Sequence, residues 1–195
     1  MGKVTVLNHV TLDGVMQAPA RPDEDTRDGF TQGGWAMAGG LDAGAPEDTD
    51  EQFGGALLFG RRTYEDFYAI WPNQPQPNPF TEVLNASRKY VASRTLEEPL
   101  PWENSTLLDG DAADAVARLK QAPGNDLLVM GSGDLIQSLM RRGLIDEFVL
   151  MVHPLVLGSG RRLFTDGGAP ADLTLVATRT TDSGVVVATY RRTAS

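Results

Sequence analysis

Three short stretches of this chain put glycine, hydroxyl and cationic residues directly after an apolar run. They are Gly60-Arg61-Arg62-Thr63, Ser93-Arg94-Thr95 and Gly131-Ser132-Gly133-Asp134-Leu135. Such a combination suits anion binding. Glycine permits close backbone approach, the first N–H groups of a helix carry the positive end of its dipole, and guanidinium and hydroxyl groups donate to phosphate oxygens. Each stretch equally suits a tight turn or a helix start with solvated arginines. Gly131-Ser132-Gly133 is only half of G-x-G-x-x-G, because residue 136 is Ile. No acidic residue stands about 20 positions further on, and GxxxxGK[ST] is absent, so neither a Rossmann fingerprint nor a P-loop is present.

Other candidates are sparser. Asp13, in "TLDG", suits a polar substrate contact or, with Gly14, a turn. His9 falls near the end of the first apolar run, where it is either a satisfied core histidine or part of a pocket wall. Asp23, Glu24, Asp25 and Asp28 belong to a long Gly/Pro/Ala-rich segment and are expected to be solvated, with one of them a candidate proton donor. There is no cysteine, which excludes disulfides, thiolate metal sites and a cysteine nucleophile. Two histidines are too few for a histidine-rich metal centre, and no carboxylate spacing points to Mg²⁺, so no metal is expected.

The formal net charge of −9 argues against nucleic acid as the main partner. A small anion needs only one local basic set, and four are available: Arg61-Arg62, Lys89 with Arg94, Arg141-Arg142 and Arg161-Arg162. No apolar run reaches membrane-spanning length and no secretion pattern opens the chain. A cytoplasmic protein with no membrane partner is the expectation.

The elements that must position these residues alternate. Strands are expected at 3–10, 56–60, 89–93, 105–109, 126–131 and 147–157. Helices are expected to start near 47 and to cover 61–70, 79–86, 112–122 and 133–142, with Asp111 as a cap and Gly143 as a left-handed stop. Residues 17–46 read as a long loop, and 173–181 with 184–192 as a hairpin around Asp182-Ser183-Gly184. The pattern predicts one α/β domain over residues 1–195, mostly parallel with an antiparallel C-terminal edge. Ligands in such sheets bind beyond the carboxyl ends of strands, which is where "TLDG", "GRRT", "SRT" and "GSGD" fall.

In order along the chain, "VTLDGVM", "LLFGRRTYE", "KYVASRT", "LLVMGSGDLIQSLMRRGLIDEF" and "HPLVLGSGRRLF" resemble the dihydrofolate reductase-like superfamily. The nearest likeness is to the reductase domain of bacterial riboflavin biosynthesis, the deaminase-reductase C-terminal domain, and its stand-alone relatives. The resemblance implies a dihydrofolate reductase-like three-layer sandwich and an NADPH-dependent reductase acting on a small molecule, often as a homodimer. It implies that Gly60, Arg61, Arg62 and Thr63 hold cofactor phosphates, and that Ser93, Arg94 and Thr95 lie at the adenosine 2′-phosphate. Gly131, Ser132, Gly133, Asp134 and Leu135 would then embrace the pyrophosphate and nicotinamide side. Two departures stand out: Val15 occupies the place of the family's lysine and Met130 that of its glutamate. They leave open an alternative, a non-catalytic dimeric nucleotide-binding or sensor relative.

Overall fold

The computed structural model describes residues 1–37, 54–72, 74 and 79–193. The start of the helix expected near 47 and residues 38–46 of the long loop lie outside the described residues.

Runs of β-branched and large apolar residues form the strands β1 (Val4–Thr11), β2 (Ala56–Gly60), β3 (Lys89–Ala92), β4 (Ser105–Leu107), β5 (Leu127–Met130), β6 (Glu147–His153), β7 (Leu173–Thr180) and β8 (Val186–Arg192). Between them lie the helices α1 (Arg61–Ile70), α2 (Pro79–Ala86), α3 (Ala112–Gln121) and α4 (Gly133–Arg141). They assemble into an eight-stranded sheet of order β4-β3-β2-β5-β1-β6-β8-β7. Pairing is parallel from β4 across to β6; β8 runs antiparallel to both β6 and β7, as expected for the C-terminal edge.

The central strands are buried on both faces, so their sequences read as continuous apolar runs without alternation. On one face Val4, Val6, Leu58, Leu127 and Val129 pack against Val116 of α3 and Leu135, Ile136 and Leu139 of α4. On the other, Leu57, Phe59, Leu128 and Val149 pack against Tyr64 of α1 and Leu84 of α2. A third, smaller cluster of Val15, Ala18, Phe30, Trp35 and Ala36 folds the loop after β1 back on itself.

The predicted strand over 147–157 ends early, at His153. Pro154 has no N–H for a ladder, and Leu155 instead donates to the His153 carbonyl at 2.8 Å. The long loop holds only a short 3-10 turn, Arg27–Gly29, within its described part. Among the described residues no helix is long and apolar enough to cross a membrane.

Candidate active site

The connections fix where a ligand fits. From β2 the chain moves outward to β3 and β4, returns to β5 beside β2, and then passes over β1 to β6. The direction of winding reverses between β2 and β5, and a crevice opens outside the carboxyl ends of strands at such a point. α1 starts directly after β2 and α4 three residues after the end of β5, and they lie on opposite faces of the sheet. Their N-termini therefore flank one crevice. A cavity of about 1460 Å³ occupies it, larger than the roughly 300–1,000 Å³ that holds one drug-sized ligand.

Neither helix is capped by a side chain. Gly60 precedes α1 and makes no cap bond, and Ser132, in a left-handed conformation before α4, makes none either. The Ser132 hydroxyl instead joins the two turns: its Oγ accepts from the Gly60 N–H at 2.8 Å and donates to Thr63 Oγ1 at 2.8 Å. A Cβ on Gly60 would lie 3.1 Å from Ser132 Oγ, and one on Gly131 3.3 Å from Thr63 Cγ2. These glycines serve the approach of one turn to the other. By contrast α3 is capped in the ordinary way, with Asp111 Oδ1 accepting from Ala113 and Asp114 N–H at 2.9 and 3.1 Å.

Gly60, Arg61, Arg62, Thr63, Ser93, Arg94, Thr95, Gly131, Ser132, Gly133, Asp134 and Leu135 all line this one cavity. Arg61 pairs with Glu65 at 2.9 Å. Arg62 and Arg94 make no ion pair among the described residues. The Ser93 hydroxyl accepts from the N–H groups of Thr95 and Leu96, so it shapes its own turn. Lys89 does not join Arg94 in a basic set. It is fully buried under Trp102, 4.6 Å from the ring centroid, and donates to the carbonyls of Asn85, Ser87 and Glu103. Burial lowers its pKa to about 8.

Asp13 is not on the cavity wall. Its carboxylate accepts from Thr11 Oγ1 at 2.6 Å and from the N–H groups of Leu157 and Gly158 at 3.2 and 2.9 Å, latching the loop after β1 to the loop after β6. The Thr11 bond, ahead of the other contacts, lowers its pKa. Asp28 is exposed and pairs with Arg161. The expected solvation of Glu24 and Asp25 does not hold. Both line the cavity, because the loop that carries them folds across it. Glu24 accepts from the Ala20 and Arg21 N–H groups, and burial raises its pKa. Asp25 pairs with Arg27, which lowers its own. Arg21 ties the same loop to Asp66 of α1 at 2.5 Å.

Sequence reasoning missed the histidine pair. His9 lines the cavity, and its Nδ1 lies 2.8 Å from Nε2 of His153. Burial and then the His153 neighbour push the His9 pKa down to about 4, and burial lowers that of His153. Arg161 and Arg162 also reach the cavity, a role their membership of a basic set made available.

The family model for the RibD C-terminal domain matches residues 2–187. The chain belongs to the RibD C-terminal domain family. Proteins similar to it include the uncharacterized Bacillus subtilis (strain 168) protein YyaP, 36% identical over 138 residues, which are 69% of this chain and 72% of YyaP. A second, the uncharacterized YwjB of the same organism, is 32% identical over 108 residues, 55% of this chain and 57% of YwjB. Among solved structures, a protein of Shewanella sp. PV-4 assigned to riboflavin biosynthesis superposes with a TM-score of 0.73 at 22% identity, covering 98% of this chain and 99% of its own. A pyrimidine reductase-like protein of Corynebacterium diphtheriae gives 0.63 at 11% identity, covering 100% and 93%. These two show the shared dihydrofolate reductase-like fold. Against the family pattern, Met130 faces the cavity where a glutamate is usual, whereas Val15 is wholly buried among Phe30 and its neighbours, so position 15 here is core.

Proposed function

We propose that this RibD C-terminal domain protein is an NADPH-dependent reductase that delivers a hydride to a C=N or C=O carbon of a small heterocyclic or ribosylamine substrate, and that it works as a homodimer in the cytoplasm. The observation that carries the reading is the pair of uncapped helix N-termini joined by Ser132 over one cavity. Two sets of free N–H groups suit the two phosphates of a dinucleotide, and folding alone would have favoured a capping side chain as on α3. Arg62 and Arg94, on the same wall and without carboxylate partners among the described residues, suit the extra 2′-phosphate that separates NADPH from NADH.

Bound there, the reduced nicotinamide would supply the hydride. The chain's own residues would hold the phosphates at α1 and α4 and cover the cavity with the loop that Arg21 ties to Asp66. The cavity volume leaves room for a second small molecule beside a dinucleotide.

Titration with NADPH and NADH, followed by nicotinamide fluorescence, tests the reading. Tight NADPH and weak NADH binding is expected, with Arg94→Ala weakening NADPH about 10- to 100-fold, the worth of one charged hydrogen bond. Absence of binding by either dinucleotide would sink it.

A further inference from the structure

Hydride delivery to a C=N or C=O carbon puts negative charge on the heteroatom, which takes its proton from water, so a cavity built for it needs a hydrogen-bond donor aimed at that atom. Five carboxylates on the cavity wall are committed, Glu24 to backbone N–H groups, Asp25 to Arg27, Glu65 to Arg61, Asp66 to Arg21 and Asp111 to the start of α3, while Asp134 is 90% exposed and meets only Arg161, at 3.8 Å, among the described residues. His9 is different. Among the described residues only one of its ring nitrogens is used, by His153.

The two rings share a single proton along the line between them, and its position decides what His9 shows to the cavity. Either His153 Nε2–H donates to His9 Nδ1, which leaves His9 with its own proton on Nε2, or His9 Nδ1–H donates to His153 Nε2, which leaves His9 Nε2 bare. Burial separates the two. His153 is only 3% exposed, and neither ring makes another side-chain hydrogen bond among the described residues. The second arrangement would put a proton on Nδ1 of the nearly buried His153 ring, for which no hydrogen-bond acceptor stands among the described residues. A buried donor without a partner is rarer and costlier than an acceptor with a spare lone pair. The first arrangement strands no donor, because the remaining N–H, on His9 Nε2, belongs to a ring on the cavity wall. Trp35, edge-on to His153 at 5.2 Å between centroids and itself anchored to the Gln17 carbonyl at 2.8 Å, holds the inner ring in place.

We propose that His9 is the substrate-binding residue that donates Nε2–H to the imine nitrogen or carbonyl oxygen of the substrate, and that His153 is the positioning residue that keeps that proton on Nε2. The ligand is a flat, mainly apolar ring bearing a C=N or C=O group. Leu7, Met130 and Met151 line the cavity together with Phe67, Trp71 and Phe80, an apolar and aromatic wall suited to such a ring. His9 being neutral at pH 7, with its pKa lowered to about 4, agrees with a donor that stays uncharged. This assignment rests on the reductase reading.

The chain has two histidines, so ¹⁵N-histidine labelling of the whole protein gives only two ring spin systems. At pH 7 both rings should carry the proton on Nε2. In His153→Phe the His9 preference should be lost, and His153→Gln, whose amide can donate to Nδ1, should restore it. Protons on Nδ1 in both wild-type rings, or a His9 tautomer indifferent to His153→Phe, overturn the assignment. With NADP⁺ present, 3,4-dihydroisoquinoline as the imine probe or 1-indanone as the carbonyl probe should shift His9 Nε2. Whichever probe does so names the bond type. His9→Phe and His9→Leu should weaken that probe at least tenfold while the NADPH Kd stays within twofold. Failure of both probes to move His9 overturns the subsite. Failure of NADPH to bind sinks the reductase reading instead, and the tautomers remain readable in the free protein.

Discussion

His9 and His153 set an acid limit on the fold. Each ring titrates near pH 6.5 in the unfolded chain, whereas in the folded chain His9 is pushed down to about 4 and His153 is also lowered. As the pH falls below about 6.5 the unfolded state takes up protons that the folded state refuses, so stability present above that value is lost on acidification, at up to about 1.4 kcal/mol per pH unit per ring. Asp13 and Asp25, whose pKa values are lowered, add their loss only below the usual carboxylate range, and Glu24, whose pKa is raised, acts with the opposite sign. Urea unfolding at about pH 7 and pH 5 should show wild type losing more stability between the two than His9→Phe; equal losses would mean that the ring titrates freely in the folded protein. None of this pairing was legible in the sequence. The rings are 144 residues apart, and they meet only because β6 lies beside β1 with Thr11 opposite His153. The three turns that line the cavity were legible as stretches, because each is contiguous and the strand end and helix start that aim it are coded within a few residues. Lys89 shows the limit of that method. Adjacency to Arg94 in sequence did not reveal that it points into the core.

At the scale of elements, the site depends on two turns that touch. Ser132 holds a left-handed backbone conformation, φ 64° and ψ 58°, in order to bridge Gly60 and Thr63. Ser132→Ala keeps the backbone strain and leaves the Gly60 N–H without its partner, at a cost of roughly 1–3 kcal/mol. Ser132→Gly loses the same bond but relieves about 1–2 kcal/mol of left-handed strain, so it should be the milder variant. Thermal or urea unfolding checks that order. Both variants should weaken NADPH several-fold, because the two helix N-termini are no longer held in register. Unchanged affinity in both would show that the cradle is set by α1 and α4 packing alone. The helices themselves and most of the strands were readable from periodicity and punctuation. The direction in which the sheet winds, and so the crevice between β2 and β5, came only from strand order, which no local pattern encodes.

For the whole molecule, the uneven feature is the C-terminal end of the sheet. At one edge β4 is only three residues long, whereas at the other β7 is an eight-residue strand that is exposed along most of its length and touches chiefly β8. The register puts Leu175 opposite Tyr190 and Thr180 opposite Val186, so Leu175 and Val186 belong to one face, where they are 52% and 37% exposed. Phe164, packed edge-on against Phe148, is 46% exposed, and Phe148 stands opposite Tyr190. A long edge strand with apolar residues and no cover invites pairing, and an isologous contact with a second copy buries the same patch twice while closing the assembly. The protein should therefore sediment as a dimer, and its melting temperature should rise with protein concentration. Leu175→Glu with Val186→Glu places two carboxylates per chain in that contact. The double variant should run as a monomer in light scattering, melt lower, and lose the concentration dependence. A wild-type monomer whose melting temperature is independent of concentration would mean that β7 is stable uncovered, and that its twist and the register shift between Leu175 and Ala177 suffice to keep other strands from adding to it.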